Sequence, residues 1–104
     1  MEFYRQGDVG IRRVASIPKG AKKVKRDAGR IVLAYGEVTG HAHAVLDREA
    51  TLVRSTDGRT FLRLDAPATV VHEEHAPVKL APGAYEVIRQ REWSDLDEPI
   101  AVRD

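Results

Sequence analysis

Apolar and polar positions alternate in short blocks along this chain, and the blocks have strand rather than helix spacing. Val9-Gly10-Ile11-Arg12-Arg13-Val14 predicts one strand, closed by the turn residues of Ile17-Pro18-Lys19-Gly20. Ile31-Val32-Leu33-Ala34-Tyr35 is an apolar run with the length of a buried strand. Thr51–Ser55 and Arg59–Leu64 flank Thr56-Asp57-Gly58, and Asp-Gly tolerates the positive φ that a tight hairpin needs. Ala68-Thr69-Val70-Val71-His72 is rich in β-branched residues. Pro82-Gly83 predicts a turn, and Ala84 to Trp93 a long strand. Asp47-Arg48-Glu49-Ala50 reads as a loop or a single helical turn, and no long amphipathic helix is expected. The prediction is an all-β fold: one small domain over residues 1–104, a barrel or sandwich of roughly six to nine short strands.

Composition narrows this further. A chain of 104 residues supports one modest core. No apolar run approaches the ~20 residues of a membrane span. The N-terminus, Met1-Glu2-Phe3-Tyr4-Arg5-Gln6, lacks a basic patch followed by an apolar stretch, so a cytoplasmic protein without a membrane partner is expected. The net charge of +1 is a cancellation of 17 basic against 16 acidic residues. Residues 19–30 form a basic loop with Lys19, Lys22, Lys23, Lys25, Arg26 and Arg30 against Asp27 alone. Glu92 and the acidic tail at 94–104 oppose it, with Asp95, Asp97, Glu98 and Asp104 against Arg103. These are solvated faces, or an acidic-partner contact on the loop, or complementary charges that pair within a subunit or between two. Self-association into a homo-oligomer would add burial to a small core. Nucleic-acid binding through residues 19–30 is a weaker expectation, because few aromatics are interleaved with the charges.

Candidate chemistry gathers on histidine. With no cysteine there is no disulfide, thiol nucleophile or thiolate metal ligand. All four histidines fall in two short segments, Gly40-His41-Ala42-His43 and His72-Glu73-Glu74-His75-Ala76-Pro77. On a strand, His41 and His43 share a face with Cβ atoms about 6.6 Å apart. Ligand atoms on one ion lie roughly 3.3 Å apart, a gap that two leaning imidazoles can close. His72 and His75 face opposite sides of a regular strand, so a bulge or strand end near Glu73-Glu74 is needed to bring both to one side. Glu37 shares the strand parity of His41 and His43, and Glu73 or Glu74 could ligate or fix an imidazole tautomer. The spacing of His72 and His75 is not the H-E-x-x-H of zinc proteases. A metal-free histidine network, a pH switch and scattered surface histidines remain open beside metal binding.

Other chemistry finds little support. Ser16, Ser55 and Ser94 lie in plain loop contexts with no nucleophile elbow. Gly7-Asp8 reads as a turn before a strand. There is no phosphate-binding glycine loop. Tyr85, Val87, Arg89, Arg91 and Trp93 share one parity, which reads as a solvent face capped by Trp93, or as a basic-aromatic strip.

Two resemblances follow from these motifs. His41-Ala42-His43 with a later histidine near Pro82-Gly83 resembles the ligand layout of cupins, although Glu49 falls further after His43 than the cupin pattern places its glutamate. That likeness implies a mononuclear metal in a barrel mouth, with dioxygenase or isomerase chemistry. A second likeness spans most of the chain. Arg5-Gln6-Gly7-Asp8-Val9, Gly36 to His43, His72 to Pro77 and Tyr85 to Glu92 resemble a family of small bacterial and phage proteins without an assigned activity. The expected function is a histidine-based site for a divalent transition metal on His41, His43, His72 and His75, with Glu37, Glu73 and Glu74 as auxiliaries. Zinc, iron, nickel, copper and manganese all suit such ligands. Three histidines with an open position would support Lewis-acid chemistry, and four would close a structural site. The alternative is a metal-free structural or interaction module.

Overall fold

The computed structural model describes residues 2–36 and 40–89. Ten strands run through them, and no helix is long and apolar enough to cross a membrane. The strands are β1 (Phe3–Gln6), β2 (Val9–Val14), β3 (Lys22–Lys23), β4 (Ile31–Tyr35), β5 (Ala42–Val45), β6 (Ala50–Arg54), β7 (Thr60–Leu64), β8 (Ala68–Val71), β9 (Val78–Leu80) and β10 (Gly83–Arg89). The all-β expectation holds. The count exceeds six to nine because β1, β3 and β9 are short strands paired along the sheet margins.

One antiparallel sheet has six strands in the order β1-β2-β10-β7-β6-β3, and the other has four in the order β4-β5-β8-β9. Neither sheet closes on itself among the described residues. Their inner faces share one core. Val9, Ile11, Leu52, Leu62, Leu64, Tyr85 and Val87 come from the larger sheet, and Ile31, Val45, Ala68, Val70 and Val78 from the smaller. The period-2 alternation of β6, β8 and β9 produces this arrangement, since each buries every second side chain.

Several local expectations are met and one is corrected. Asp57-Gly58 lies in the β6–β7 hairpin, where Arg54 pairs with Thr60 and Gly58 takes φ 88°. Ser55 ties this loop: its Oγ donates to Asp57 and accepts from the Arg59 amide at 3.0 Å. The lysines of the basic loop are exposed, and two local contacts order it. Lys22 and Lys23 form β3 on the margin of the larger sheet, where lysines discourage further pairing. Arg26 is anchored on the carbonyls of Gly29, Asp47 and Ala50. The solvent face expected for Tyr85 and Val87 is corrected: both are buried in the core. Tyr85 can be buried because its hydroxyl donates to Ala81 O at 2.7 Å and accepts from Arg13 Nη1 at 2.9 Å. Glu86 is buried too, against Arg12 at 2.7 Å. Arg91, Trp93 and the acidic tail lie outside the described residues.

The turn between Asp27 and Arg30 places Ala28 at φ 54°, a left-handed conformation that costs a Cβ-bearing residue about 1–2 kcal/mol. Asn tolerates this region far better than Ala. Ala28→Asn is therefore expected to raise stability by about 0.5–1 kcal/mol and the melting temperature by a few degrees, checked by thermal unfolding.

Candidate metal centre

The two histidine segments meet because β5 and β8 are neighbours. Ala44 faces Val71 and Val45 faces Val70. Continued past the end of β8, this register sets His43 opposite His72 and His41 opposite Glu74. Directly opposed residues in antiparallel strands have Cβ atoms about 4.5–5.5 Å apart, and the His43 and His72 rings lie 4.4 Å apart by centroid. His72 touches every other histidine: its ring is 5.6 Å from His41 and 4.6 Å from His75. The strand end foreseen near Glu73-Glu74 occurs. β8 stops at Val71 and the chain bends through Glu73 to His75, so His72 and His75 come to one side.

One buried amide shapes both segments. Gln6 ends β1 in the larger sheet and is fully buried. Its Nε2 donates to Val70 O and to Ala76 O, both at 3.0 Å, bracketing the segment that carries His72 and His75. Two carbonyls can only accept, so the NH2 group must face them and Oε1 must face the other way. Oε1 lies 2.8 Å from His43 Nδ1, which therefore carries a proton and donates it. The neutral His43 ring presents its lone pair at Nε2. Burial, reinforced by nearby His72, pushes the His43 pKa down to about 4, while Asp8 opposes the shift. His43 is consequently neutral at physiological pH, as ligation demands.

Gly7 and Asp8 form the two-residue turn between β1 and β2, with Gln6 paired to Val9. Gly7 takes φ 58° at the first central position, the glycine-first pattern of a type II′ hairpin. It also permits close approach. A Cβ there would sit 2.8 Å from His75 Nε2 and 3.3 Å from His43 Cε1. The turn was foreseen, but its role as a wall of the histidine cluster was not. Asp8 stands on that wall with Oδ1 3.7 Å from His43 Nε2. Arg89, at the end of β10, grips the other oxygen at 2.8 Å through Nη2. Burial would raise the Asp8 pKa, but the Arg89 hydrogen bond and charge outweigh it and hold the carboxyl below its ordinary range.

On the outer side, donor atoms of His41, His72 and Glu73 all lie within 4.8 Å of one another. Glu73 Oε1 accepts from the Ala42 amide at 2.9 Å, and this bond holds its carboxyl pKa down. Glu74 approaches His41 at 4.0 Å through its carboxylate, while its amide donates to His72 Nδ1 at 3.0 Å. In this arrangement neutral His72 bears its proton on Nε2. His75 Nδ1 is buried and finds no hydrogen-bond partner among the described residues. The structure thus gathers His41, His43, His72, His75 and Glu73, brings Glu74 to the rim, and leaves Glu37 outside the described residues. Sequence reasoning missed Gln6, Asp8 and the Asp8–Arg89 pair. The available signal is the Arg5-Gln6-Gly7-Asp8-Val9 block, which the sequence marks as a turn and as part of the family resemblance, with no site role for its side chains.

A small two-sheet β protein with clustered histidines is the class these features define. The chain matches a domain of unknown function, DUF8820, over residues 5–90, and it belongs to that family. The match contains every histidine, Gln6, Asp8 and Arg89. No curated protein and no solved structure matches the chain.

Gln6→Ala removes hydrogen bonds from the Val70 and Ala76 carbonyls and from the His43 Nδ1–H, and is expected to cost about 2–4 kcal/mol in urea denaturation. The pH dependence has a defined sign. The unfolded His43 titrates near 6.5 and the folded one near 4, so the unfolded chain binds the extra proton between these values. The contribution of His43 is complete above pH 6.5 and is lost as pH falls towards 4. It amounts to on the order of 3 kcal/mol, measured on chelator-treated protein, and His43→Asn removes this part of the slope.

Proposed function

We propose that the loop end of the two sheets binds a divalent transition metal on His41, His72 and Glu73, with His43 and His75 beside it. The observation that supports it is the mutual approach, within 4.8 Å, of three donors from two separate loops. Imidazole with carboxylate suits zinc, iron, nickel, copper or manganese. Three protein donors leave a further coordination position for water or substrate, as in sites that act by Lewis-acid polarisation or water activation. Glu73 is exposed, so that position opens to solvent.

Ligation by His72 has a definite local cost. An ion at Nδ1 displaces the Glu74 amide. An ion at Nε2 moves the ring proton to Nδ1, where it opposes the same amide. Either route gives up that hydrogen bond, about 0.5–1.5 kcal/mol. The same contact favours a second reading. His43, His72 and Glu73 each have a hydrogen-bond partner without any ion, which suits a metal-free module whose histidines pin its loops.

Metal titration of untagged, chelator-treated protein separates the two. Metal at 100 times its Kd adds about 2.7 kcal/mol and raises the melting temperature by roughly 10 °C or more. His41→Ala and His72→Ala are expected to weaken binding by on the order of 100-fold. Absence of binding, with unchanged melting temperature across zinc, manganese and nickel, leaves the metal-free module.

A further inference from the structure

We propose that His43 and Asp8 hold a second divalent cation, beside the one assigned to His41, His72 and Glu73; the inference rests on that assignment. Two electron-pair donors face each other here. Gln6 takes the proton of His43 at Nδ1, so Nε2 offers a lone pair. Asp8 Oδ1, 3.7 Å away, is also an acceptor. Arg89 reaches Oδ2 through both Nε and Nη2, which holds the carboxylate in place and turns Oδ1 towards the ring. At 3.7 Å the two facing atoms are too far apart for a hydrogen bond. A cation between them converts this opposition into two bonds.

The spacing suits an ion. Two donors at about 2.1 Å on a tetrahedral ion lie about 3.4 Å apart, so a few tenths of an ångström of closure completes the contact. The position is separate from the first. The donors that come within 4.8 Å of one another are those of His41, His72 and Glu73, and His43 and Asp8 are not among them. One ion cannot serve both groups in this geometry. His72 stands between them, 4.4 Å from His43 and 5.6 Å from His41 by ring centroid. His75 lies beyond this pair: its ring stacks on that of His43 at 5.9 Å across Gly7, and its Nδ1 is buried without a hydrogen-bond partner among the described residues. One carboxylate with one imidazole favours a borderline cation such as zinc.

Asp8→Asn tests this with little risk to the fold. The Asn carbonyl can still accept from Arg89, and its NH2 group then faces His43 Nε2 as a donor, filling the cation's place. Native mass spectrometry of untagged protein titrated with zinc is expected to show two ions bound to the wild type. Asp8→Asn is expected to bind one, and Glu73→Gln to keep the inner one. Thermal unfolding of metal-free Asp8→Asn within a few degrees of wild type establishes that it is folded. A single zinc on both wild type and Asp8→Asn, lost in Glu73→Gln, overturns the second position while leaving the first. Two ions retained by Asp8→Asn also overturn it. No zinc on the wild type overturns both assignments.

Discussion

A buried amide needs three partners at once, and in this protein it can satisfy them only if two sheets and a loop are in place. Gln6 is fully buried, so each of its polar atoms must be paired inside the protein or cost about 1–3 kcal/mol. Val70 O, Ala76 O and His43 Nδ1 are those partners. The first and second lie on either side of the segment carrying His72 and His75, and the third is on β5. The constraint runs in both directions. The fold buries the amide, and the amide dictates where the bend after β8 begins and ends. It also dictates which nitrogen of His43 is bare.

The chemistry of the site follows from that choice. A histidine buried among other histidines is kept neutral by desolvation and by its neighbours, which is why His43 titrates at about 4. A neutral ring can carry its proton on either nitrogen. Gln6 fixes it on Nδ1, and Asp8, braced by Arg89, faces the bare Nε2. The outer donors are arranged differently. Glu73 and His72 are held by backbone amides from Ala42 and Glu74, so hydrogen bonds within the protein fix that rim. The inner and outer halves share His72, and the whole centre rests on the β1–β2 turn, where only glycine admits the approach of His75.

Much of the scaffold was legible from alternation. β2 and β4 match their predicted spans, and the β6–β7 hairpin follows from Asp57-Gly58. Those segments carry their own burial pattern. β3 does not: Lys22 and Lys23 are exposed, and their strand exists because β6 offers an edge. The inward face of β10 was obscured because Tyr85 and Val87 share their parity with Arg89, and nothing local reveals that Ala81 O and Arg13 wait for the Tyr85 hydroxyl. At the site, the four histidines and Glu73 stood out by residue type. Their assembly depended on the β5–β8 register, a long-range pairing that no local pattern specifies. Gln6 was hidden for the same reason, since a polar residue beside a turn looks solvated until the second sheet closes over it, and Asp8 was hidden because its partners His43 and Arg89 are distant in sequence.

The tautomer of His43 carries the account, and long-range proton–nitrogen correlation NMR of the metal-free protein at neutral pH reads it directly. The expected spectrum shows a neutral His43 ring protonated at Nδ1 and bare at Nε2, with the Nε2 signal moving when zinc is added. Gln6→Ala is expected to release the tautomer into a mixture. A His43 ring protonated at Nε2, or one whose nitrogens ignore both zinc and the loss of Gln6, would contradict it.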